Sequence, residues 1–409
     1  MAKDFFDFTE KMSTLKSLID KAKDERKFKD LILIFIQHQL GNHFSQTSSL
    51  IELGQDPKKV YWIDIPYTSS VKTREAIFKE LKVPIENFDS HEFKVGYSYD
   101  EYQIHRVKEW ILRYRGFFFE SSKILILDDG GYFIRALMRI RDGKLLSRIC
   151  QMVKIIEQTT RGIIKTRESF ISKKITVVNV AESSFKKIAE AEYIGKDIYE
   201  AINESLFRYH ITINELDGNI LVLGYGSIGK NFINEILHKD PNMKSRIIVW
   251  DIDTQRLEEA KSNGLHIYDE SKEHFIQLAV GCTGGVSFRK QMVKSLIDNS
   301  YLISASSGDV EFSRYREKNI QKNGKTSIHT DLQFEEENKL LTLLNNGFPI
   351  NFNGQNLFRI PAEKIQFTVL LMVLGCFQAI NTKKKGIIKF STEMDEFLFN
   401  EYRKLGYRC

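Results

Sequence analysis

Four cysteines in 409 residues leave little scope for covalent bracing. Cys150, Cys282, Cys376 and Cys409 are widely separated and no two form a C-x-x-C pair. That spacing excludes a zinc ribbon or a small disulfide scaffold and fits a reducing compartment. Excess charge of one sign is also scarce: 60 Lys and Arg are scattered among 54 Asp and Glu, for a net charge of +6. Nothing in that balance requires nucleic acid, and the run Lys383-Lys384-Lys385 reads as a solvated turn. Long apolar runs are absent too. The longest, Phe367 to Ala379, contains Gly375 and Gln378 and reads as too short to span a bilayer. The start, Met1-Ala2-Lys3-Asp4-Phe5-Phe6, lacks the basic-then-apolar pattern of a signal peptide. No repeat at solenoid periods and no low-complexity tract is visible. The expectation is a cytoplasmic chain with no membrane partner, no nucleic-acid partner and no metal site.

What is present is ordinary globular composition, 42% hydrophobic and 28% charged, at a length that suits two domains. Leu31–Ile36, Val60–Ile65, Lys123–Leu127, Met152–Ile156 and Ile175–Val180 read as short, doubly buried strands. Helical periodicity fills the gaps, for example Phe44–Leu53, Val71–Leu81 and Tyr132–Ile140, and such alternation implies a parallel sheet covered on both faces. A second set of strands is expected at 219–223, 246–250, 278–281, 301–305, Thr326–Thr330 and Lys339–Leu344.

The run Asn219-Ile220-Leu221-Val222-Leu223-Gly224-Tyr225-Gly226-Ser227-Ile228-Gly229-Lys230 carries the most chemistry. It reads as strand, G-x-G-x-x-G and helix start. A second apolar run, Arg246 to Trp250, ends in Asp251, about twenty residues past the last glycine. Gly224 permits a tight turn, Gly226 lets a pyrophosphate approach the backbone, and Gly229 allows close helix–strand packing. Backbone N–H groups of the new helix, from Ser227 and Ile228 onward, would face the phosphates. Asp251 would accept hydrogen bonds from ribose hydroxyls and repel a 2′-phosphate, favouring NAD over NADP. The expected fold is therefore α/β with two doubly wound parallel-sheet domains. Residues 1–193 plus 352–409 form a substrate domain to which the C-terminal segment returns. Residues 194–351 form a Rossmann dinucleotide-binding domain.

Several further segments occur in a telling order. They are Leu127-Asp128-Asp129-Gly130-Gly131, Glu157-Gln158-Thr159-Thr160-Arg161-Gly162, Val178-Asn179-Val180-Ala181-Glu182-Ser183 with Lys186, and Gly224 to Lys230. Cys282-Thr283-Gly284, Asp309-Val310-Glu311 and Pro349-Ile350-Asn351-Phe352 follow. Taken colinearly, they resemble the S-adenosylhomocysteine hydrolase (adenosylhomocysteinase) superfamily, with matches from about residue 42 to 352.

The resemblance implies tightly bound NAD+ that oxidises a ribose hydroxyl of a small-molecule, nucleoside substrate, followed by elimination, hydration and reduction. It implies catalytic roles for Lys186, Asp129, Glu190 and, from the family's H-M-T segment, a histidine near Asn42 or His43. It adds Thr159, Thr160, Cys282, Thr283, Gly284 and Asn351 to the cofactor site. It also implies a homo-oligomer, because Lys404 to Cys409 resembles a family tail that reaches a neighbour's cofactor, with one residue fewer between lysine and tyrosine.

The departures cluster on the substrate side. Gln158 stands where a carboxylate is expected, Glu190-Ala191 where Asp-Asn is, Arg161 where a small residue is, Tyr132 where an acid is, and Ser306-Ser307-Gly308 where a glycine-histidine gate is. That pattern suits a chain that keeps NAD while its substrate has changed or its turnover has been lost. A catalytically inactive NAD-binding regulator is therefore the alternative to an enzyme. A 2-hydroxyacid dehydrogenase ranks last, since His329-Thr330 does not supply that family's late histidine beside proline. Read without the resemblance, Lys186 beside Lys187 is a helix-surface lysine and His43 a helix-start polar residue. On the same reading Asp128 and Asp129 are either helix caps or crevice residues, Thr159 and Thr160 β-formers, and Asn351 a turn residue.

Overall fold

The computed structural model describes residues 2–91, 93, 98–120, 123–316, 328–353 and 356–407. The chain divides into two units, each built on one seven-stranded sheet. The first comprises Met1–Glu92, Asp100–Glu190 and Asn356–Cys409; the second, Phe93–Tyr99 and Ala191–Gln355.

In chain order, the first unit contributes β1 (Ile32–Gln37), β2 (Val60–Asp64), β3 (Phe88–Asp89), β4 (Ile124–Asp128), β5 (Val153–Glu157), β6 (Thr176–Asn179) and, from the far end of the chain, β14 (Gly386–Lys389). Their spatial order is β14-β6-β5-β4-β1-β2-β3, with every pair parallel. β1, Ile-Leu-Ile-Phe-Ile-Gln, is buried along its whole length, as a central strand covered by helices on both faces must be. The C-terminal segment returns to this unit and adds β14 to the edge at β6.

The apolar stretch read as too short for a bilayer proves to be part of a 20-residue helix, Ala362–Asn381, which is long and apolar enough to cross one. Here 78% of its apolar window is buried inside the protein. Gly375 allows it to lie against β5 and β6: a Cβ there would come 2.9 Å from Ile156 and Val180. The helix is the apolar backing of the first sheet.

The second unit contributes β7 (Asn219–Leu223), β8 (Ile247–Trp250), β9 (His266–Ile267), β10 (Ile276–Gly281), β11 (Leu296–Ser304), β12 (Leu332–Glu336) and β13 (Lys339–Leu343). Their order is β12-β13-β11-β10-β7-β8-β9, parallel except for the β12–β13 hairpin. From β9 to β13 this is the 3-2-1-4-5-6 order of a Rossmann domain. The hairpin turns on Glu337 and Asn338, both with positive φ (51° and 60°), the geometry of a tight hairpin turn. The strand expected over Thr326–Thr330 lies partly outside the described residues, and its remainder is turn.

Candidate functional site

In a doubly wound sheet, ligands bind where successive strands depart to opposite sides, beyond the strands' carboxyl ends. In the second unit that point lies between β7 and β10. Gly224 leaves β7 with φ +101°, and a Cβ on it would lie 2.9 Å from Thr283 Cγ2 and 3.1 Å from the Cys282 carbonyl carbon. The loops after β7 and β10 thus touch, and Cys282 N–H donates to Leu223 O at 2.7 Å. Gly229 is tighter still: its Cβ would stand 2.0 Å from Gly224 O.

Gly226 faces open space. Among the described residues beyond its chain neighbours, only an Arg256 guanidinium nitrogen comes within 4 Å of its hypothetical Cβ, at 3.7 Å. Gly226 is also the N-cap of the 13-residue helix Ser227–Lys239 and supplies no side-chain cap. The first-turn N–H groups, including those of Ser227 and Ile228, therefore keep their donor capacity for a ligand. A half-buried glycine with room above it and an uncapped helix start fit a diphosphate.

Asp251 follows β8 and is buried. Its Oδ2 accepts from Tyr225 N–H at 2.6 Å and its Oδ1 from Asp253 N–H at 2.9 Å. Arg256 stands 3.5 Å from Oδ2. The carboxylate thus pins the glycine turn.

Across the crevice, Glu311 is the organiser. Its Oε1 accepts from Thr283 N–H, from Gly284 N–H at 2.7 Å, and from the hydroxyls of Thr283 and Ser306, both at 2.9 Å. Its Oε2 accepts from Ser287. Burial pushes the Glu311 carboxyl up, and these donors pull it back. The N–H groups of Thr283 and Gly284 are spent on Glu311. Burial and Glu311 raise the Cys282 thiol, so it stays protonated. Asn351 donates to Asp197 Oδ2 at 3.0 Å.

The first unit has its switch point between β1 and β4, and polar residues collect at those carboxyl ends. His38 follows β1 and Asp129 follows β4, and His38 Nε2 lies 3.1 Å from Asp129 Oδ2. The Thr68 hydroxyl donates to Ile65 O at 3.1 Å, so it can accept from His38 Nδ1, 2.5 Å away. His38 thus bridges Thr68 and Asp129 through its two ring nitrogens. Burial alone would raise the Asp129 carboxyl; the charges of His38, Lys186 and His43 outweigh it and leave the group below its ordinary value.

Lys186 and Glu190 come together on one π-helical turn, Lys186–Glu190, with Nζ donating to Oε1 at 2.7 Å. π-turns favour functional positions, and this one puts both side chains on one face. Glu190 is 7% exposed, and its Oε2 has no hydrogen-bond partner among the described residues.

Other residues at this edge hold the site together. Asp128 caps the helix Tyr132–Leu137, accepting from Tyr132 N–H and Phe133 N–H at 3.2 and 2.9 Å. Burial raises its carboxyl to about 7. Glu157 accepts from Gly130, Gly131 and Thr159 N–H and from the Thr159 hydroxyl. Gly162 makes room for it, since a Cβ there would sit 2.2 Å from the Glu157 carboxyl. Thr159 is the N-cap of the helix Thr160–Arg167, accepting from Gly162 N–H at 3.0 Å. Thr160 is exposed. Gln158 accepts from Gln37 Nε2 at 2.8 Å, and Gln37 in turn accepts from Gln46 at 3.0 Å.

Of the sequence candidates, Asp129, Lys186, Glu190 and His43 share this edge, and the electrostatic influence of Lys186 and His43 reaches Asp129. The histidine that meets Asp129 is His38, which motif reading passed over in favour of His43. His43 lies in the first turn of the helix Gly41–Glu52 and accepts from Leu40 N–H at 3.4 Å. Burial, then the His38 charge, hold His43 at about 3 against the pull of Asp129. A base depressed on folding gives stability above its unfolded value of 6.5, lost as pH falls toward 3. Between pH 7 and 5 the wild type should lose about 2 kcal/mol more unfolding free energy than His43→Gln. Urea melts of both proteins at the two pH values check this; equal losses would show that His43 does not titrate with folding.

In the tail, Lys404 pairs with Glu401, and Tyr407 packs against Tyr402, with ring centroids 4.7 Å apart, and meets Lys364, whose Nζ is 5.4 Å from its ring. Arg408 and Cys409 lie outside the described residues.

No protein-family model matches the chain. It is similar to two Mycobacterium tuberculosis proteins described as uncharacterized, MT0113 (strain CDC 1551 / Oshkosh) and Rv0104 (strain ATCC 25618 / H37Rv). Each is 25% identical over 342 residues, 81% of this chain. The chain spans 60% of the length of these curated relatives. Among solved structures, dipicolinate synthase A chain from Bacillus subtilis is 12% identical with a TM-score of 0.38, over 85% of this chain and 95% of that one. The D-isomer specific 2-hydroxyacid dehydrogenase from Lactobacillus delbrueckii ssp. bulgaricus, in its NAD complexed form, is 15% identical with a TM-score of 0.29, over 75% and 95%.

Proposed function

We propose that the chain is an adenosylhomocysteinase-like NAD-binding protein that transiently oxidises a hydroxyl of a small, nucleoside-type substrate. The observation that carries the cofactor is the second unit's switch point: a glycine turn open at Gly226, an uncapped helix start and Asp251 beside them. Bound NAD+ supplies hydride acceptance from a carbinol carbon.

The first unit, by itself, gathers groups that hold and move protons at the carboxyl ends of its sheet, as such chemistry needs. His38 Nε2 and Asp129 Oδ2 meet within hydrogen-bond reach, a pair of the kind that can take a proton from a substrate hydroxyl or return one to a leaving group. Lys186, steadied by Glu190, adds a cationic donor. Glu190 keeps one buried carboxylate oxygen for a further donor.

A second reading, a dinucleotide-binding protein without turnover, is favoured by Gln158. Its amide is held in the Gln46–Gln37–Gln158 chain and cannot exchange a proton as a carboxylate would. One experiment separates the readings. Purified protein is denatured and any released nucleotide identified, and intact protein is incubated with adenosylhomocysteine while free thiol and absorbance near 340 nm are followed. NAD release with thiol formation supports the enzyme; NAD release alone, across nucleoside substrates, supports the second reading. If no nucleotide is released and none binds on titration, both fail.

A further inference from the structure

We infer that Arg256 makes the dinucleotide site accept a ribose 2′-phosphate, so that NADP binds alongside NAD. The inference rests on the dinucleotide reading above and refines which dinucleotides the site takes. An acid at the end of the second Rossmann strand ordinarily rejects NADP because a bare carboxylate faces the 2′ position. Asp251 is not bare. Two backbone N–H groups, those of Tyr225 and Asp253, donate to its two oxygens, and the Arg256 guanidinium stands 3.5 Å from Oδ2. Much of the repulsion a 2′-phosphate would meet is thereby offset.

The guanidinium is also available. It begins the helix Thr254–Ser262 on its third residue and remains 48% exposed. Its contacts are ion pairs at 3.5 Å to Asp251 and 3.6 Å to Asp253, longer than hydrogen bonds. It lies 3.7 Å from the Cβ position of Gly226, on the open side of the phosphate cradle. A phosphate on the hydroxyl that Asp251 faces would therefore meet a planar fork of donors suited to bidentate contact. Moving Arg256 onto that phosphate breaks no hydrogen bond among the described residues, and Asp251 keeps both backbone donors.

The test is calorimetric titration of the full chain, stripped of nucleotide, with NAD and with NADP, for wild type, Arg256→Ala and Arg256→Lys. Wild type is expected to bind the two dinucleotides within about tenfold of each other. In Arg256→Ala the ratio of NADP to NAD affinity should fall about ten- to hundredfold, the worth of charge-assisted hydrogen bonds to a phosphate. Arg256→Lys should recover part of that ratio. NAD binding with NADP more than about a hundredfold weaker in wild type would overturn the inference. So would an Arg256→Ala loss equal for both dinucleotides, which would make Arg256 a diphosphate contact. Binding of neither dinucleotide would instead sink the dinucleotide reading itself. Circular dichroism confirms that each variant is folded.

Discussion

Gly229→Ala is expected to abolish dinucleotide binding and to destabilise the second unit by about 1–3 kcal/mol, the range for overpacking a tight contact. The new methyl would stand 2.0 Å from a backbone oxygen, Gly224 O, and no flexible side chain is there to yield. Helix and glycine turn must separate, which moves Gly226 and the first-turn N–H groups out of register. Gly226→Ala supplies the contrast. Its backbone is extended, φ −81° and ψ −170°, and its methyl would meet nothing within 3.7 Å. That variant should melt like wild type yet bind dinucleotide weakly, because the methyl fills the space a diphosphate needs. Thermal melts and calorimetry on the pair decide the matter. Wild-type affinity in Gly226→Ala would show that the cradle is not where the phosphates lie.

Asp129→Asn is expected to lower turnover by about 10²–10⁴-fold, the usual worth of positioned acid–base catalysis. The amide keeps the shape of the carboxylate but cannot exchange a proton as the carboxylate can. His38→Ala should cost a similar factor, and the double variant little more than either alone, because paired groups acting on one proton are not additive. Thiol release from adenosylhomocysteine, or the substrate-induced absorbance of reduced nicotinamide, reads each rate. If both single variants stay within about tenfold of wild type, the His38–Asp129 pair is not part of the chemistry.

Most strands were legible because both faces of a central parallel strand are buried and the sequence shows it as an unbroken apolar run. β7 matches its expected span, and the other expected strands that fall wholly within the described residues mostly shift by a residue or two at their ends; the largest differences are at the starts of β10 and β11. The strands that were missed lack that signature. β3 and β9 are two residues long, and β12, Leu-Gln-Phe-Glu-Glu, is an edge strand that alternates apolar and polar. β14 follows a lysine run and is only half-buried. The glycine turn and Asp251 were readable because their spacing is local. His38 was not. Its partner lies just past the end of β4, and only the strand order, which puts β4 beside β1 with Ile36 opposite Asp128, brings the two side chains together. Glu311 was visible as part of a motif, but its grip on Thr283, Gly284, Ser287 and Ser306 depends on how two loops meet. Arg256 had no motif at all; its place above Gly226 follows from the helix that begins after Asp251.

The position of β14 has a consequence for how the protein is made. Domains tend to fold as they leave the ribosome. The first unit is begun first, yet it cannot close its sheet until Gly386–Lys389 emerges to pair with Thr176–Asn179. The whole of Ala191–Gln355 is synthesised in the meantime. The later-starting unit is therefore the first to be completed, and the nascent first unit must wait with the flank of β6 unpaired. A bare parallel edge is a template for misplaced pairing, so the flank of β6 is open to wrong strand partners during that interval.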